Sequence, residues 1–209
     1  MNDYDVIVVG AGLSGCTIAE RFANVLNKKV LILEKRDHIG GNCYDYIDAQ
    51  TGIRVSKYGP HFFHTNDEDV WDYVNKFSEW IRYDLKAASN VENRMVPVPA
   101  NMETINILND QSLQTEDETR EYMQSIQIKC DNPQNSEDVA LCRVGRTLYE
   151  KLFLPYTKKQ WNRHPTELSP SVLSRIPVRY NSDVRYFTDK YQAIPKHGYT
   201  KFVENLIDH

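Results

Sequence analysis

The sequence predicts an α/β protein in which a βαβ module carries an inserted, mainly helical domain. The module is indicated by Asp5–Val9, a short apolar strand that runs directly into the glycine-rich turn Gly10–Gly15, and by a second apolar strand, Val30–Leu33. The insertion is indicated by a change of pattern near residue 80, after which helical segments and prolines replace short strands. The composition suits a globular protein, since 41% of the 209 residues are hydrophobic and 26% are charged.

Charge and composition exclude several classes of partner. The net charge of -4 and the pI of about 5.9 provide no basic surface that would attract nucleic acid or anionic lipid. The apolar runs are far too short to span a membrane, and Asp3 and Asp5 leave no room for a signal peptide before the first strand. We therefore expect a cytoplasmic protein that binds neither nucleic acid nor a membrane.

The four cysteines are expected to be reduced thiols. They show neither CxxC spacing nor the density of a disulfide framework; their positions are Cys16, Cys43, Cys130 and Cys142. For each of them, the role of a small buried hydrophobic side chain is favoured over a catalytic role.

The first elements follow from apolar periodicity. Residues 5–9 are typical of a strand buried on both faces of a parallel sheet, and a right-handed crossover to Val30–Leu33 is expected. The intervening helix is predicted from Cys16, Ala19, Phe22, Ala23 and Leu26, which recur at helical spacing. Thr65–Glu68 has the pattern of a capping box. The helix that it opens is predicted to have an apolar face of Val70, Trp71, Val74 and Phe77.

The remaining chain is predicted to form the insertion and a return segment. Val96–Pro99 is expected to be extended because proline disfavours helix in the preceding residue, and residues 101–160 contain several helices. The polar stretches Thr115–Arg120 and Asp131–Asp138 are expected to be solvated helix ends or loops, and Tyr199–Leu206 a final helix. The expected domains are residues 1–80, a Rossmann-like domain; 81–185, a mainly helical domain; and 186–209, which returns to the first domain.

The Gly10–Gly15 turn meets the requirements of a dinucleotide-binding fingerprint. It follows a strand, opens a helix and is followed by an acidic residue at the required distance, Glu34, 19 positions after Gly15. Gly10 permits the tight turn, Gly12 lets a pyrophosphate approach the main chain, and Gly15 allows close helix–strand packing. The helix N-terminus supplies amides and positive potential, and Glu34 can accept hydrogen bonds from a ribose.

The fingerprint alone does not separate NAD from FAD. A second glycine-rich loop, Ile39–Asn42, follows Glu34 closely, and an extended flavin dinucleotide needs main chain near it along its length. Glu34 also disfavours a 2′-phosphate, which it would repel. These features favour FAD over NAD.

The segment Lys57–Thr65 contains two histidines and three aromatic residues. His61 and His64 are three residues apart, which could suggest a metal site, but no cluster of cysteine or carboxylate ligands accompanies them. We favour a core or cofactor-wall role and predict no metal.

Residues 156–191 are rich in arginine, tyrosine and tryptophan. Arginine binds phosphate oxygens through two parallel hydrogen bonds, and aromatic faces stack on bases or sugars. This composition indicates a nucleotide-sugar site, while a solvated basic patch with core aromatic residues is the alternative.

Taken together, these segments resemble the N-terminal part of bacterial UDP-galactopyranose mutase. The resemblance extends in order over nearly the whole chain and is carried by Gly10–Gly15, Glu34–Arg36, His38–Asn42, Lys57–Asp67, Pro99, Asn101, Thr104, Tyr156–Trp161, Arg175–Tyr180, Tyr186–Gln192, Ile194–Pro195 and Gly198–Thr200. Leu85 and His197 depart from the pattern, since some relatives place asparagine near the former and glycine is common at the latter.

The resemblance implies an isomerase that interconverts UDP-galactopyranose and UDP-galactofuranose, with reduced FAD as the nucleophile. It implies catalytic roles for Arg175, on a mobile loop that closes on the diphosphate, and for His61, beside the flavin. The implied substrate-binding residues are Tyr156, Thr157, Trp161, Arg175 and Tyr186. The implied cofactor-binding residues are Gly10, Gly12, Leu13, Ser14, Gly15, Glu34, Lys35, Gly40, Gly41, Asn42, Tyr58 and His61.

The resemblance also implies a longer protein. Members of the family have a further C-terminal part that completes the FAD and diphosphate sites and are usually dimeric, so we expect this chain alone to be inactive. Two other functions remain open: a flavin-dependent oxidoreductase of the amine-oxidase type, and a non-catalytic segment that binds flavin or a nucleotide-sugar.

Overall fold

The structure, a computed structural model, describes residues 3–208. The chain folds into two compact units. Unit 1 comprises the residues up to Asp84 and those from Phe187 onward, and unit 2 comprises Leu85–Tyr186.

The strands are short, none longer than five residues. They are β1 Val6–Val9, β2 Val30–Leu33, β3 Asp45–Ile47, β4 Arg54–Ser56, β5 Phe63–Thr65, β6 Trp80–Arg82, β7 Ala87–Val91, β8 Arg94–Val98 and β9 Tyr191–Pro195. Most of the helical residues lie in unit 2. The helices are α1 Leu13–Asn24, α2 Glu68–Val74, α3 Met102–Asn109, α4 Glu116–Ile126, α5 Ser136–Leu148, α6 Leu154–Trp161, α7 Ser171–Ser174 and α8 Gly198–Ile207. A π-helical segment, Tyr149–Phe153, joins α5 to α6, and 3₁₀ turns lie at Gly41–Cys43 and Pro165–Glu167.

The predicted βαβ module is confirmed, but one expectation about it is wrong. β1 and β2 pair in parallel, with Val6 opposite Val30 and Val9 opposite Leu33. However, Ile7 and Val9 are 59% and 85% exposed, so β1 is not buried on both faces. Within the described residues β1 pairs with β2 alone, and α1 packs on the module. A covering layer on the opposite face, which parallel sheets normally have, is therefore missing from these residues.

Two details of the predicted helices also differ. α1 ends at Asn24, so Leu26 lies beyond the helix and is 54% exposed. The cap of α2 is Asp67 rather than Thr65, because the Asp67 carboxylate accepts from the Val70 amide at 3.1 Å. Thr65 ends β5, and its hydroxyl accepts from the Asp67 amide instead.

The return segment completes unit 1. β9 lies between β5 and β6 in an antiparallel sheet. α8 then buries Phe202, Val203 and Leu206 in the same core as Cys16 of α1 and Phe77. The final helix predicted from the sequence is therefore confirmed, and unit 1 is built from two distant parts of the chain.

A buried carboxylate holds these two parts together. Asp45 is 4% exposed, and its carboxylate accepts hydrogen bonds from the amides of Tyr199 at 2.7 Å and Thr200 at 3.2 Å, in the first turn of α8. Arg54 donates to the same carboxylate at 3.3 Å. The Thr200 hydroxyl donates to the Asp45 carbonyl and accepts from the Asp45 amide. His197 precedes α8, but its side chain does not cap the helix, so Asp45 supplies the N-terminal cap instead.

Unit 2 has its own core. The hairpin β7–β8 packs on α3, and the largest fully buried side chains of the unit are Ile105, Leu108, Met123, Leu148 and Leu173. Its two ends lie side by side, because the Tyr186 amide donates to the Leu85 carbonyl at 2.6 Å. The expectation of several helices over residues 101–160 is confirmed. The extended conformation expected for Val96–Pro99 is confirmed for Val96–Val98 in β8, whereas Pro99 follows the strand in a bend.

The expectation that all four cysteines are thiols is wrong for two of them. Cys130 and Cys142 are joined as a disulfide with their Cα atoms 6.0 Å apart, whereas Cys16 and Cys43 are free. The pairing arises because the polar segment after α4 turns back along α5, where the Ile128 amide donates to the Leu141 carbonyl. Sequence spacing could not reveal that return.

Within residues 3–208, none of the helices is long and apolar enough to cross a membrane.

The Asp45 contacts generate a prediction for stability. Asp45→Ala removes the cap of α8 and leaves Arg54 without its partner, so the free energy of unfolding should fall by about 2–3 kcal/mol. Urea denaturation followed by circular dichroism measures it. Asp72→Ala, at an exposed position of α2, is the control and should change the value by less than about 0.5 kcal/mol. Equal effects of the two substitutions would contradict the role given to Asp45.

Candidate functional site

Two glycine-rich loops meet at the carboxyl end of β1. The Gly40 amide donates to the Ala11 carbonyl at 2.8 Å, and the Gly10 amide donates to the Leu33 carbonyl at 2.7 Å. A Cβ atom built on Gly41 would lie 3.0 Å from the Cα atom of Gly12. Any side chain at position 41 would therefore push the loops apart, so glycine is required where they cross.

The helix that follows the first loop is packed tightly against the strand. A Cβ atom on Gly15 would overlap the carbonyl oxygen of Gly10 and come within 3.3 Å of the Val8 side chain. By contrast, a Cβ atom on Gly10 would meet no atom within 4 Å, although its φ of +103° strains other residues. The third glycine thus serves packing, as the fingerprint predicts, and the first faces open space.

The N-terminus of α1 is suited to an anion. Its cap is Gly12, no side chain caps it, and no acidic residue lies in its first turn, which begins with Leu13 and Ser14. Amides at such an end have no partner within the helix and carry the positive end of the helix dipole. The residues therefore fit the pyrophosphate of a dinucleotide.

Glu34 lies directly beside this helix end. Its carboxylate accepts from the Ala11 amide at 2.6 Å and from the Arg36 amide at 2.8 Å. The Arg36 amide, and after it that of Ala11, holds the pKa of the Glu34 carboxyl below its usual value. Each oxygen retains a second lone pair, so the charged carboxylate can still accept from a ribose.

An aromatic and basic cluster adjoins the second loop. His38 stacks on Tyr44, with ring centroids 3.9 Å apart, and its Nε2 atom lies 2.9 Å from the Tyr58 hydroxyl. The Arg36 guanidinium lies over the Tyr58 ring and donates to the Asn42 side chain at 3.0 Å. Lys35, which precedes Arg36, is exposed. The structure thus gathers the predicted cofactor residues other than His61 around the two loops, including Tyr58, which is 16 residues beyond the end of the second.

The two histidines of the Lys57–Thr65 segment have different surroundings. Nδ1 of His61 lies 3.1 Å from the Gly59 carbonyl, whereas Nδ1 of His64 lies 3.0 Å from the Asp189 carboxylate. His64 also stacks on Phe187 at 3.7 Å. Sequence reasoning missed the pairing with Asp189, which is separated by 125 residues and has no local signal. No group of three or more His, Cys, Asp or Glu residues that could hold a metal ion occurs in the part of the chain that the structure describes.

In unit 2, α6 and α7 bring two predicted substrate residues, Trp161 and Arg175, together. Trp161 and Tyr156 are 45% and 44% exposed on α6. Arg175 follows the last residue of α7 and lies with its guanidinium carbon 6.0 Å from the centre of the Trp161 ring. An exposed aromatic face and an arginine fork thus lie together, whereas Tyr156, five residues before Trp161, is exposed on a different side of α6.

The other two predicted substrate residues are less accessible. Thr157 is 1% exposed, and its hydroxyl is buried without a hydrogen-bond partner, so it does not lie on this surface. Tyr186 is partly buried, and burial followed by the nearby Tyr156 raises the pKa of its hydroxyl, which stays protonated at neutral pH. The Tyr186 amide donates a hydrogen bond to the carbonyl of Leu85, one of the two positions that depart from the family pattern.

Comparison with known proteins agrees with this geometry. Residues 151–209 match the sequence pattern of the UDP-galactopyranose mutase family, and residues 8–77 match that of NAD(P)-binding Rossmann-like domains. The resemblance to the N-terminal part of UDP-galactopyranose mutases is confirmed. So is the α/β fold class with its Rossmann-like module.

Two relatives match almost the whole chain. A dTDP-fucopyranose mutase of Escherichia coli is 43% identical over 98% of this chain and 54% of its own length. A protein described as a probable UDP-galactopyranose mutase of Klebsiella pneumoniae is 41% identical over all of this chain and 54% of its own. The chain therefore spans about half the length of the curated relatives that it matches.

A solved structure supports the fold, and a third relative bears on the cofactor. The crystal structure of a reduced UDP-galactopyranose mutase aligns with a TM-score of 0.73 at 17% identity, over 99% of this chain and 46% of that one. An FAD-dependent oxidoreductase of Monascus ruber is 37% identical over 36% of this chain and 17% of its own length.

The glycine contacts generate a prediction that separates folding from binding. Gly15→Ala should lower the free energy of unfolding by about 2–3 kcal/mol, because its methyl group overlaps the Gly10 carbonyl. Gly12→Ala should cost less than about 1 kcal/mol, because its methyl group would lie 3.8 Å from the nearest main-chain atom, an ordinary contact. Thermal or urea unfolding of the two variants checks this order, and a reversed order would contradict the packing described for Gly15.

Proposed function

We propose that this chain binds FAD in unit 1 and a nucleotide-sugar in unit 2, as part of a mutase that interconverts UDP-galactopyranose and UDP-galactofuranose. One observation carries the proposal: two crossing glycine loops lie beside an uncapped helix end and a charged Glu34, in a chain more than 40% identical to nucleotide-sugar mutases. The exposed Trp161–Arg175 pair supports the substrate part of it.

The proposed cofactor contacts follow from the geometry of unit 1. The amides of Leu13 and Ser14 face the pyrophosphate, Gly12 and Gly41 let it approach, and Glu34 accepts from the ribose. These residues favour FAD over a cofactor with a 2′-phosphate, because the charged Glu34 carboxylate would repel that phosphate. When bound and reduced, FAD supplies the nucleophile for the sugar carbon, so a protein nucleophile is not required.

The proposed role of His61 rests on its tautomer. The Gly59 carbonyl can only accept a hydrogen bond, so Nδ1 of His61 carries the proton and donates to it. In the neutral ring, Nε2 is then an acceptor that can receive a proton or a hydrogen bond from the flavin side of the site.

The proposed substrate contacts lie in unit 2. The Arg175 fork pairs with the diphosphate and stabilises it as it leaves the sugar, and the faces of Trp161 and Tyr156 stack on the base or sugar. The Tyr186 hydroxyl donates to the substrate. Thr157 contributes only if α6 moves to expose its hydroxyl.

A second substrate is favoured by one comparison. The relative with 43% identity is a dTDP-fucopyranose mutase, so dTDP-fucopyranose is the alternative to UDP-galactopyranose. The two nucleotides differ at the 5-methyl group of the base and the 2′-hydroxyl of the sugar. Competition between UDP and dTDP for the same site therefore distinguishes the two substrates.

Three further expectations remain predictions. A homodimer and a lack of binding to nucleic acid or membranes belong to the same proposal. A cytoplasmic location does too, although the Cys130–Cys142 disulfide removes one of the grounds for it, because disulfides are uncommon in that compartment.

Ligand titrations test binding by each unit. Adding UDP should quench tryptophan fluorescence through Trp161, and Arg175→Ala should weaken UDP binding about tenfold or more by removing charge-assisted hydrogen bonds. Arg146→Ala, at an exposed position of α5, is the control.

FAD should bind to the wild-type chain and more weakly to Gly12→Ala, which is expected to fold. A chain that is folded but binds neither ligand would rule the proposal out.

Turnover tests the expectation that these 209 residues are inactive alone. The relatives carry almost as much chain again, and in this chain one face of the β1–β2 sheet is uncovered. We expect no conversion of UDP-galactofuranose to the pyranose by the chain with dithionite-reduced FAD, monitored by HPLC, while the Klebsiella relative serves as the active control. Turnover at a rate near that of the control would refute the expectation.

A further inference from the structure

The segment that presents Arg175 is a very short helix. α7 has only four residues, Ser171–Ser174, and Arg175 is the residue that caps its C-terminus. A single turn is not stable by itself, and the last carbonyls of a helix have no partner within it. The position of Arg175 must therefore depend on what holds α7.

Arg143 of α5 holds this helix end. Its Nη1 atom donates to the Leu173 carbonyl at 2.7 Å and to the Ser174 carbonyl at 3.0 Å. These are the two carbonyls directly before Arg175. Leu173 is 1% exposed and anchors α7 in the core of unit 2, so the guanidinium completes an attachment that one apolar side chain begins.

The surroundings of Arg143 favour an ordered contact. Its side chain is partly buried, and burial lowers the pKa of the guanidinium, an effect that the nearby Tyr180 opposes. Removing an arginine from water costs free energy, which the two charge-assisted hydrogen bonds offset. The positive charge also lies at the negative end of a helix, which is favourable.

The contacts form a continuous path to the candidate substrate surface. Arg143 binds the end of α7, Arg175 follows α7, and the Arg175 guanidinium lies over the Trp161 ring of α6. Arg143 is 32 residues before Arg175 and was not singled out by the sequence, since a lone arginine on a helix is usually a solvated side chain.

We propose that Arg143 is a positioning residue that holds Arg175 where it binds the diphosphate of the nucleotide. This inference rests on the proposed function, because it gives Arg175 the diphosphate as its ligand. Arg143 acts only through the main chain of α7 and touches no substrate itself. It therefore sets affinity for the phosphates and not for the base.

Paired titrations with UDP and uridine test the proposal, followed by tryptophan fluorescence. Arg143→Gln should weaken UDP binding about tenfold, because the charge-assisted hydrogen bonds that fix α7 are lost, and change uridine binding less than about twofold. Arg143→Lys keeps a charged donor and should restore most of the affinity for UDP. Arg146→Gln, on the same helix and exposed, is the matched control and should bind both ligands as the wild type does.

Two further measurements separate positioning from loss of structure. In a double-mutant cycle, Arg143→Gln should add little to the loss of UDP affinity caused by Arg175→Ala, because both substitutions remove the same interaction, that of Arg175 with the diphosphate. Hydrogen exchange of the residue 171–176 amides should be at least about tenfold faster in Arg143→Gln, with the exchange of α5 unchanged. Circular dichroism confirms that each variant is folded.

The outcomes are distinguishable. Wild-type chain that binds uridine but not UDP would overturn the proposed diphosphate site and this inference with it. Wild-type chain that binds UDP, with Arg143→Gln binding it equally well, would overturn this inference alone. Equal weakening of UDP and uridine would also overturn it, since Arg143 would then support the whole site rather than Arg175.

Discussion

The close crossing of two glycine loops is the constraint on which the candidate cofactor site depends. Gly41 approaches the main chain of Gly12 so closely that a side chain at position 41 would force the second loop to move, and the Gly40 amide ties the loops to each other. This crossing brings the uncapped end of α1, the Glu34 carboxylate and the aromatic cluster around His38 to one place. An anion at the helix end, a ribose near the carboxylate and an extended ligand along the second loop are therefore compatible with one another.

Unit 1 is a discontinuous structure, and a few polar contacts join its two parts. The buried Asp45 carboxylate caps α8 across more than 150 residues of sequence, and Asp189 pairs with His64 from the same return segment. Charge-assisted hydrogen bonds of this kind are directional, so they fix how the return segment docks, while Phe202, Val203 and Leu206 supply the apolar surface. The insertion of unit 2 between the two parts is then tolerated because its own ends, Leu85 and Tyr186, are hydrogen-bonded to each other.

Unit 2 presents its candidate site on short elements that larger ones support. α6 carries the exposed Trp161 and Tyr156, whereas Arg175 follows a single helical turn held by Arg143 and Leu173. The position of Arg175 is therefore set, through the main chain of α7, by the contacts of α7 with α5.

The sequence by itself determined the βαβ module, the two glycine loops, Glu34 and the family resemblance. These features are local: strand periodicity, glycine spacing and an acid at a fixed distance from them express constraints that act within some 35 residues. It also predicted the helices of residues 101–160 and the final helix, whose apolar faces are visible in the order of residues.

Only the tertiary structure decided which distant residues meet. The capping of α8 by Asp45, the His64–Asp189 pair, the Cys130–Cys142 disulfide and the support of α7 by Arg143 each join side chains to partners with no fixed spacing in the sequence. The burial of Thr157 and the exposure of Val9 likewise depend on which layers cover an element, and periodicity reports only that a face is apolar. Hydrogen bonds and burial across a fold are set by packing in three dimensions, which is why these contacts could not be derived from the order of residues.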